Sequence, residues 1–98
     1  MSEPMLTSSD VDAAIEEQGL HWAHEGDELT TTVKLHDFAA ALEFVRSVGA
    51  AAEAANHHPD IDIRYNKVRL VLTTHDSGGI TLLDLAMAGA IDRLRPDV

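Results

Sequence analysis

Ile61-Asp62-Ile63-Arg64-Tyr65-Asn66-Lys67-Val68-Arg69-Leu70-Val71-Leu72-Thr73-Thr74 is the stretch from which the fold is read. Ile61, Ile63 and Tyr65 alternate with Asp62 and Arg64. Val68, Leu70 and Leu72 alternate with Arg69, Val71 and Thr73. A period of two sends successive side chains to opposite faces of a strand. Two such runs around Asn66-Lys67 predict a hairpin with strands at 61–65 and 68–74, although Asn-Lys is a weaker turn than Asn-Gly.

On the N-terminal side, Phe38, Leu42, Val45, Gly49 and Ala52 recur at spacings of three and four. They predict a helix that Asp37 caps, running to about Asn56, with Pro59 forbidding continuation. Its many alanines favour helix and close packing on a sheet. Before it, residues 20–24 and 29–35 read as two strands around Glu25-Gly26-Asp27-Glu28. Leu29, Thr31, Val33 and Leu35 share one face, and Thr30, Thr32 and Lys34 the other, as in a sheet with one wet face. A short helix at about 9–18 precedes them, with capping-box spacing at Thr7/Asp10 and Ser9/Asp12 and a stop at Gly19. On the C-terminal side, Thr81 and Asp84 repeat that spacing. Leu83, Met87, Ala90, Ile91 and Leu94 mark a final helix ending before Pro96. The order is α-β-β-α-β-β-α. It predicts an α+β fold, a four-stranded antiparallel sheet with helices packed on one face.

Ninety-eight residues make one domain, 1–98, with residues 1–7 read as a loose tail. At this size about two-thirds of the unfolded surface can be buried, so the core is modest. With four aromatics in all, Trp22, Phe38, Phe44 and Tyr65, aliphatic side chains must build most of it. The absence of cysteine removes disulfides, thiolate metal sites and cysteine nucleophiles. A net charge of −10 repels phosphate backbones and anionic lipid, arguing against nucleic-acid and membrane partners. No apolar run approaches the roughly 20 residues of a membrane span, and the polar start does not read as a signal peptide. The expected location is the cytoplasm.

Six histidines are many for this length. With Asn66-Lys67 as the turn, Tyr65 lies opposite Val68, and extending that register sets His58 opposite His75. Directly opposed Cβ atoms are roughly 4.5–5.5 Å apart. The ladder should fray at Pro59, which lacks an N–H. The two imidazoles then gather at one open end of the sheet, with His57 adjoining. The residue before proline is held extended, which aims His57 and His58 in different directions.

Glu53-x3-His57-His58-Pro59-x5-Tyr65-x9-His75-x8-Asp84 resembles the signature of the pterin-4a-carbinolamine dehydratases. Tyr65-Asn66-Lys67-Val68, Leu72-Thr73-Thr74-His75, Gly78-Gly79-Ile80-Thr81, Trp22 and Asp37-Phe38 resemble the same family, so that the likeness spans residues 10–93. Ile61 and Ile63 depart from it, standing where many members carry an aromatic and an asparagine.

The resemblance implies a lyase that removes water from a 4a-hydroxytetrahydropterin to give a quinonoid dihydropterin, recycling tetrahydrobiopterin for aromatic amino acid hydroxylases. It implies no cofactor and no metal, the pterin being substrate. It implies His57 and His75 as the acid–base pair, without saying which is acid, and His58 as the residue that binds and orients the pterin. Histidine suits both proton transfers because its charge changes near neutral pH. Glu53, one helical turn before His57, either holds His57 or is a solvated helix-face carboxylate. Asp84 reads as the capping-box acid, as support for the site, or as both. Trp22 reads as a pocket wall or as core. Pro59 belongs to the motif and sets the backbone beside His58. Gly78-Gly79 reads as a tight loop placing His75 rather than a phosphate cradle, lacking a P-loop's lysine and spacing.

Two other classes compete. Three histidines can hold zinc, but consecutive ones chelate jointly with difficulty. A non-catalytic protein-binding or assembly module on the same fold is the stronger rival, and retention of the three motif histidines argues for the enzyme. The family likeness also implies a homodimer or homotetramer. Leu82, Leu85, Ala86 and Gly89 on the last helix and Val71 on the wet sheet face are candidates for the interface.

Overall fold

A computed structural model describes residues 3–98. Helix α1 spans Ser8–Gln18, strands β1 and β2 span Ala23–Glu25 and Glu28–Lys34, and helix α2 spans Phe38–Ala55. Strands β3 and β4 span Asp60–Arg64 and Lys67–Leu72, and helix α3 spans Leu82–Asp92. The sheet order is β1-β2-β4-β3, and every pairing is antiparallel. The expected α+β order is therefore the observed one.

The sheet's core face carries Leu29 and Val33 on β2 and Val68, Leu70 and Leu72 on β4, all fully buried. Leu29 lies opposite Leu72 and Val33 opposite Val68. Val11 of α1, Ala41, Phe44 and Val48 of α2, and Leu85, Met87, Ala88 and Ile91 of α3 pack onto that face. On α2 the core stripe is Ala41, Phe44, Val48 and Ala52, while Phe38 and Leu42 of the expected stripe are exposed. In so alanine-rich a helix two neighbouring stripes are both apolar, and only packing selects between them. On α3 the same holds: Leu83 is exposed and Leu85 is buried. Val71, expected on the wet face, is also buried, opposite the buried Thr30 in the middle of the sheet.

Local rules explain the boundaries. Asp37 caps α2 by accepting from the Ala40 N–H at 2.8 Å. Thr7 caps α1 in the same way from Asp10 N–H at 3.1 Å. The first strand begins later than expected because the backbone of His21 bonds side chains instead of a neighbouring strand. Its N–H donates to Asp92 Oδ2 at 2.8 Å and its carbonyl accepts from Thr31 Oγ1 at 2.8 Å.

The second hairpin turns one residue earlier than expected, at Tyr65-Asn66, because Arg64 pairs with Lys67. Asn66 is held there by the end of β2: Leu35 N–H donates to its carbonyl at 2.7 Å and its Nδ2 donates to Leu35 O at 3.0 Å. Tyr65 takes a left-handed conformation to make the bend (φ 53°). Moving the turn by one residue shifts each partner by two, so inward and outward faces are preserved.

Of the segment expected to be a loose tail, residues 1–2 lie outside the described residues. Residues 3–7 are tied to the loop before α3: Leu6 N–H donates to Ile80 O at 2.8 Å, and Ser77 Oγ donates to the Glu3 carbonyl. Gly79 sits so close beneath Met5 that a Cβ there would come within 2.7 Å of the sulfur.

Candidate active site

The site is assembled where α2 ends, β4 ends and α3 begins. Asn56 closes α2 in a left-handed conformation (φ 51°), which asparagine tolerates better than most residues. Its N–H donates to Glu53 O at 3.3 Å and the His57 N–H to Ala52 O at 3.1 Å. This double bond pattern is a Schellman motif, and it fixes His57 against the helix end. Pro59 then hands the chain to β3, an edge strand, where a missing N–H costs the ladder nothing.

At the end of β4 the chain does not continue as a strand through Thr74. The Thr74 carbonyl accepts from the N–H groups of Ser77 and Gly78, both at 3.0 Å, and the Thr74 N–H donates to Gly79 O at 3.0 Å. The enclosed turn, His75–Ser77, is one 3-10 turn closed by Gly78 at φ 79°. His75 is thus carried on a tight loop, not on the strand, and does not lie opposite His58 as the expected register had it. Nevertheless His57, His58 and His75 line one open cleft of about 290 Å³, together with Asn56, Thr73, Thr74 and Asp76.

His57 Nε2 lies 2.5 Å from Asp84 Oδ1. Asp84 is wholly buried, and its other oxygen accepts from Thr74 Oγ1 at 2.7 Å and from the Thr81 N–H at 2.9 Å. Three donors therefore satisfy a buried carboxylate, which can only accept. The Thr81 side chain completes the capping box of α3, so the one carboxylate both caps the helix and contacts His57. Glu53 does not hold His57, as the helical spacing allowed. It pairs with His58 Nε2 at the surface, where both groups are well exposed. His75 has no side-chain hydrogen bond among the described residues.

Trp22 is not brought to this cleft. It is buried in the core, and its Nε1 donates to Asp92 Oδ1 at 2.9 Å. Asp92 and Asp84 are eight residues apart on α3, roughly 12 Å at 1.5 Å per residue. At that far end Arg95 binds Asp97 through Nε at 2.8 Å and Nη2 at 3.1 Å, and it also reaches Thr31 Oγ1 at 2.8 Å. Burial pulls the Arg95 guanidinium down, but Asp97 and Asp92 outweigh it and hold it above its ordinary value.

Thr74 was the site residue missed as a side chain with a role. Adjacency to His75 was the available signal, but its bond to Asp84 joins two elements. Among the described residues no three His, Cys, Asp or Glu side chains are grouped to hold a metal ion, and no helix is long and apolar enough to cross a membrane.

A family profile described as Pterin 4 alpha carbinolamine dehydratase matches residues 4–94. A Chloroflexus aurantiacus protein provisionally named pterin-4-alpha-carbinolamine dehydratase is 58% identical over 73 residues, 74% of this chain and 78% of its own. A Herpetosiphon aurantiacus protein with the same provisional name is 45% identical over 91 residues, 93% of this chain and 94% of its own. The crystal structure of a transcriptional coactivator/pterin dehydratase from Brucella melitensis superposes with a TM-score of 0.86 at 31% identity, covering 93% of this chain and 98% of that one. A pterin dehydratase-like protein identified as a RuBisCO assembly factor in the alpha-carboxysome superposes with a TM-score of 0.64 at 19% identity, over 81% of this chain and 92% of that one, a likeness of fold alone.

Proposed function

This chain belongs to the pterin 4 alpha carbinolamine dehydratase family, and on that premise we propose that it dehydrates a 4a-hydroxytetrahydropterin to the quinonoid dihydropterin by histidine acid–base catalysis. The observation that carries the reading is the His57–Asp84 contact at the wall of a cleft that also holds His58 and His75.

With Asp84 accepting at Nε2, His57 keeps its proton on that nitrogen and offers the Nδ1 lone pair to a ligand. It is the base. Nδ1 removes the proton from N5 of the pterin, and the buried carboxylate stabilises the imidazolium that forms. His75, exposed and free of a side-chain partner among the described residues, is the acid. It donates to the 4a-hydroxyl, the C4a–O bond breaks, and the N5 electron pair closes the C4a=N5 bond as water leaves. His58, steered by Glu53, orients the ring. No net redox change occurs, and the two histidines exchange their proton with solvent between turnovers. Positioned proton transfer of this kind contributes about 10²–10⁴-fold, enough for a substrate that already loses water slowly by itself.

The reading puts the protein after a hydroxylation that yields the carbinolamine, the aromatic amino acid hydroxylase reaction. Exposed Phe38 and Leu42 on α2 and Leu82 on α3 support the expected homodimer or homotetramer. Leu85 and Val71, expected at that interface, are buried within the chain and offer it no surface. The test is to generate 4a-hydroxytetrahydropterin in place with a hydroxylase and follow quinonoid product by absorbance. Faster product formation with the protein present supports the enzyme. The spontaneous rate from folded protein overturns it in favour of a protein-binding module on this fold.

A further inference from the structure

Thr74 is nine-tenths buried, and it touches both halves of the candidate site. Its hydroxyl donates to Asp84 Oδ2 at 2.7 Å and lies 2.9 Å from Thr81 Oγ1. Asp84 in turn holds His57 through its other oxygen. The Thr74 main chain meanwhile closes the turn that presents His75, by the bonds to Ser77, Gly78 and Gly79. A carboxylate has two rotational degrees of freedom that matter here, and the Thr74 and Thr81 donors on one oxygen fix the direction of the other. Without the hydroxyl, Asp84 Oδ2 keeps only the Thr81 N–H, and the carboxylate can swing away from His57 Nε2.

We propose that Thr74 is a positioning residue for the dehydration, aiming His57 through Asp84 with its side chain while its backbone holds His75 at the matching place. The inference rests on the dehydratase reading of the same site. It assigns Thr74 no contact with substrate, so substrate affinity should depend on it little.

The test compares Thr74→Val, which has nearly the same shape without the hydroxyl, with Thr74→Ser, which restores it. Each is made in the wild type and in the His57→Ala background. Thr74→Val should lower kcat about tenfold with KM changed less than about twofold, the pattern of a lost transition-state interaction. Thr74→Ser should recover most of the rate. In the His57→Ala background Thr74→Val should add no further loss, because residues acting through one another are non-additive. An equal loss in both backgrounds, or a serine variant as slow as the valine one, overturns the proposal. Should the valine variant not fold, Thr74→Ala is read by the same criteria. A second readout needs no turnover: the His57 Nε2–H proton resonance should move upfield or broaden in Thr74→Val and return in Thr74→Ser. An unmoved resonance overturns the positioning role even in an inactive protein, whereas a wild type without dehydratase activity overturns the activity reading alone.

Discussion

His57 Nε2 and Asp84 Oδ1 stand 2.5 Å apart, although 27 residues separate them in the chain and they belong to different helix ends. The contact joins the segment just after α2 to the first turn of α3. It puts a buried, fully bonded carboxylate behind one imidazole of the cleft. Asp84→Asn keeps the volume and removes the charge. We expect kcat to fall about 100-fold with the fold retained by circular dichroism, as when an oriented histidine loses its carboxylate. Wild-type kcat in a folded Asp84→Asn protein would contradict the arrangement.

Glu53 should behave differently. Its partner is His58, and the pair lies at the surface, where such ion pairs contribute little. Glu53→Gln should leave kcat within about twofold and raise KM a few-fold through looser ring orientation. A loss of kcat as large as that of Asp84→Asn, measured in the same assay, would restore Glu53 to a direct role with His57.

Trp22 is expected to matter for stability alone. Trp22→Phe keeps an aromatic body in the core but leaves Asp92 Oδ1 without its indole donor. Removing one partner from a largely buried hydrogen bond costs about 1–3 kcal/mol. Urea unfolding should show that loss while kcat and KM stay at wild-type values. A raised KM would mean the ring reaches the pterin after all.

Acid should loosen the C-terminal end. The hydrogen bond from Arg95, with its charge, holds the Asp97 carboxyl below its ordinary value of 3.8, against the opposing effect of burial. A carboxylate held low in the folded state contributes stability above its unfolded pKa and loses it as pH falls through its folded pKa. The contribution of Asp97 is therefore complete above about pH 4 and disappears below it. Thermal unfolding of wild type and Asp97→Asn from pH 7 to 2 checks this. The Tm difference should be largest near neutrality and shrink in acid, and a constant difference would contradict it.

The fold was legible because binary patterning and punctuation agree along this chain. Alternation at 61–72, the alanine-rich stretch after Asp37 and the capping box at Thr81 each point to one element type. Side-chain registration was less legible. Periodicity cannot choose between Phe38/Leu42 and Ala41/Phe44 when both stripes are apolar, and only packing on the sheet decides. The hairpin turn slipped by one residue because the deciding bonds run from Asn66 to Leu35, just past the end of β2. Convergence of the three histidines survived that slip, since it depends on which end of the sheet they occupy. The pairing of carboxylates with histidines did not follow from spacing. Glu53 is one helical turn from His57, but the Schellman turn at Asn56 redirects the chain and gives Glu53 to His58. Asp84 reaches His57 across the fold, a contact that local spacing does not encode.

In the proposed reaction His57 and His75 move the two protons of one dehydration. The most direct measurement is kcat for wild type, His57→Ala and His75→Ala, with 4a-hydroxytetrahydropterin formed in place and all three proteins shown to be folded. Wild type should exceed the spontaneous rate, and each alanine variant should lose most of that excess, about 10²-fold or more for a positioned acid or base. Wild-type turnover in both folded variants would contradict the assignment of these two histidines.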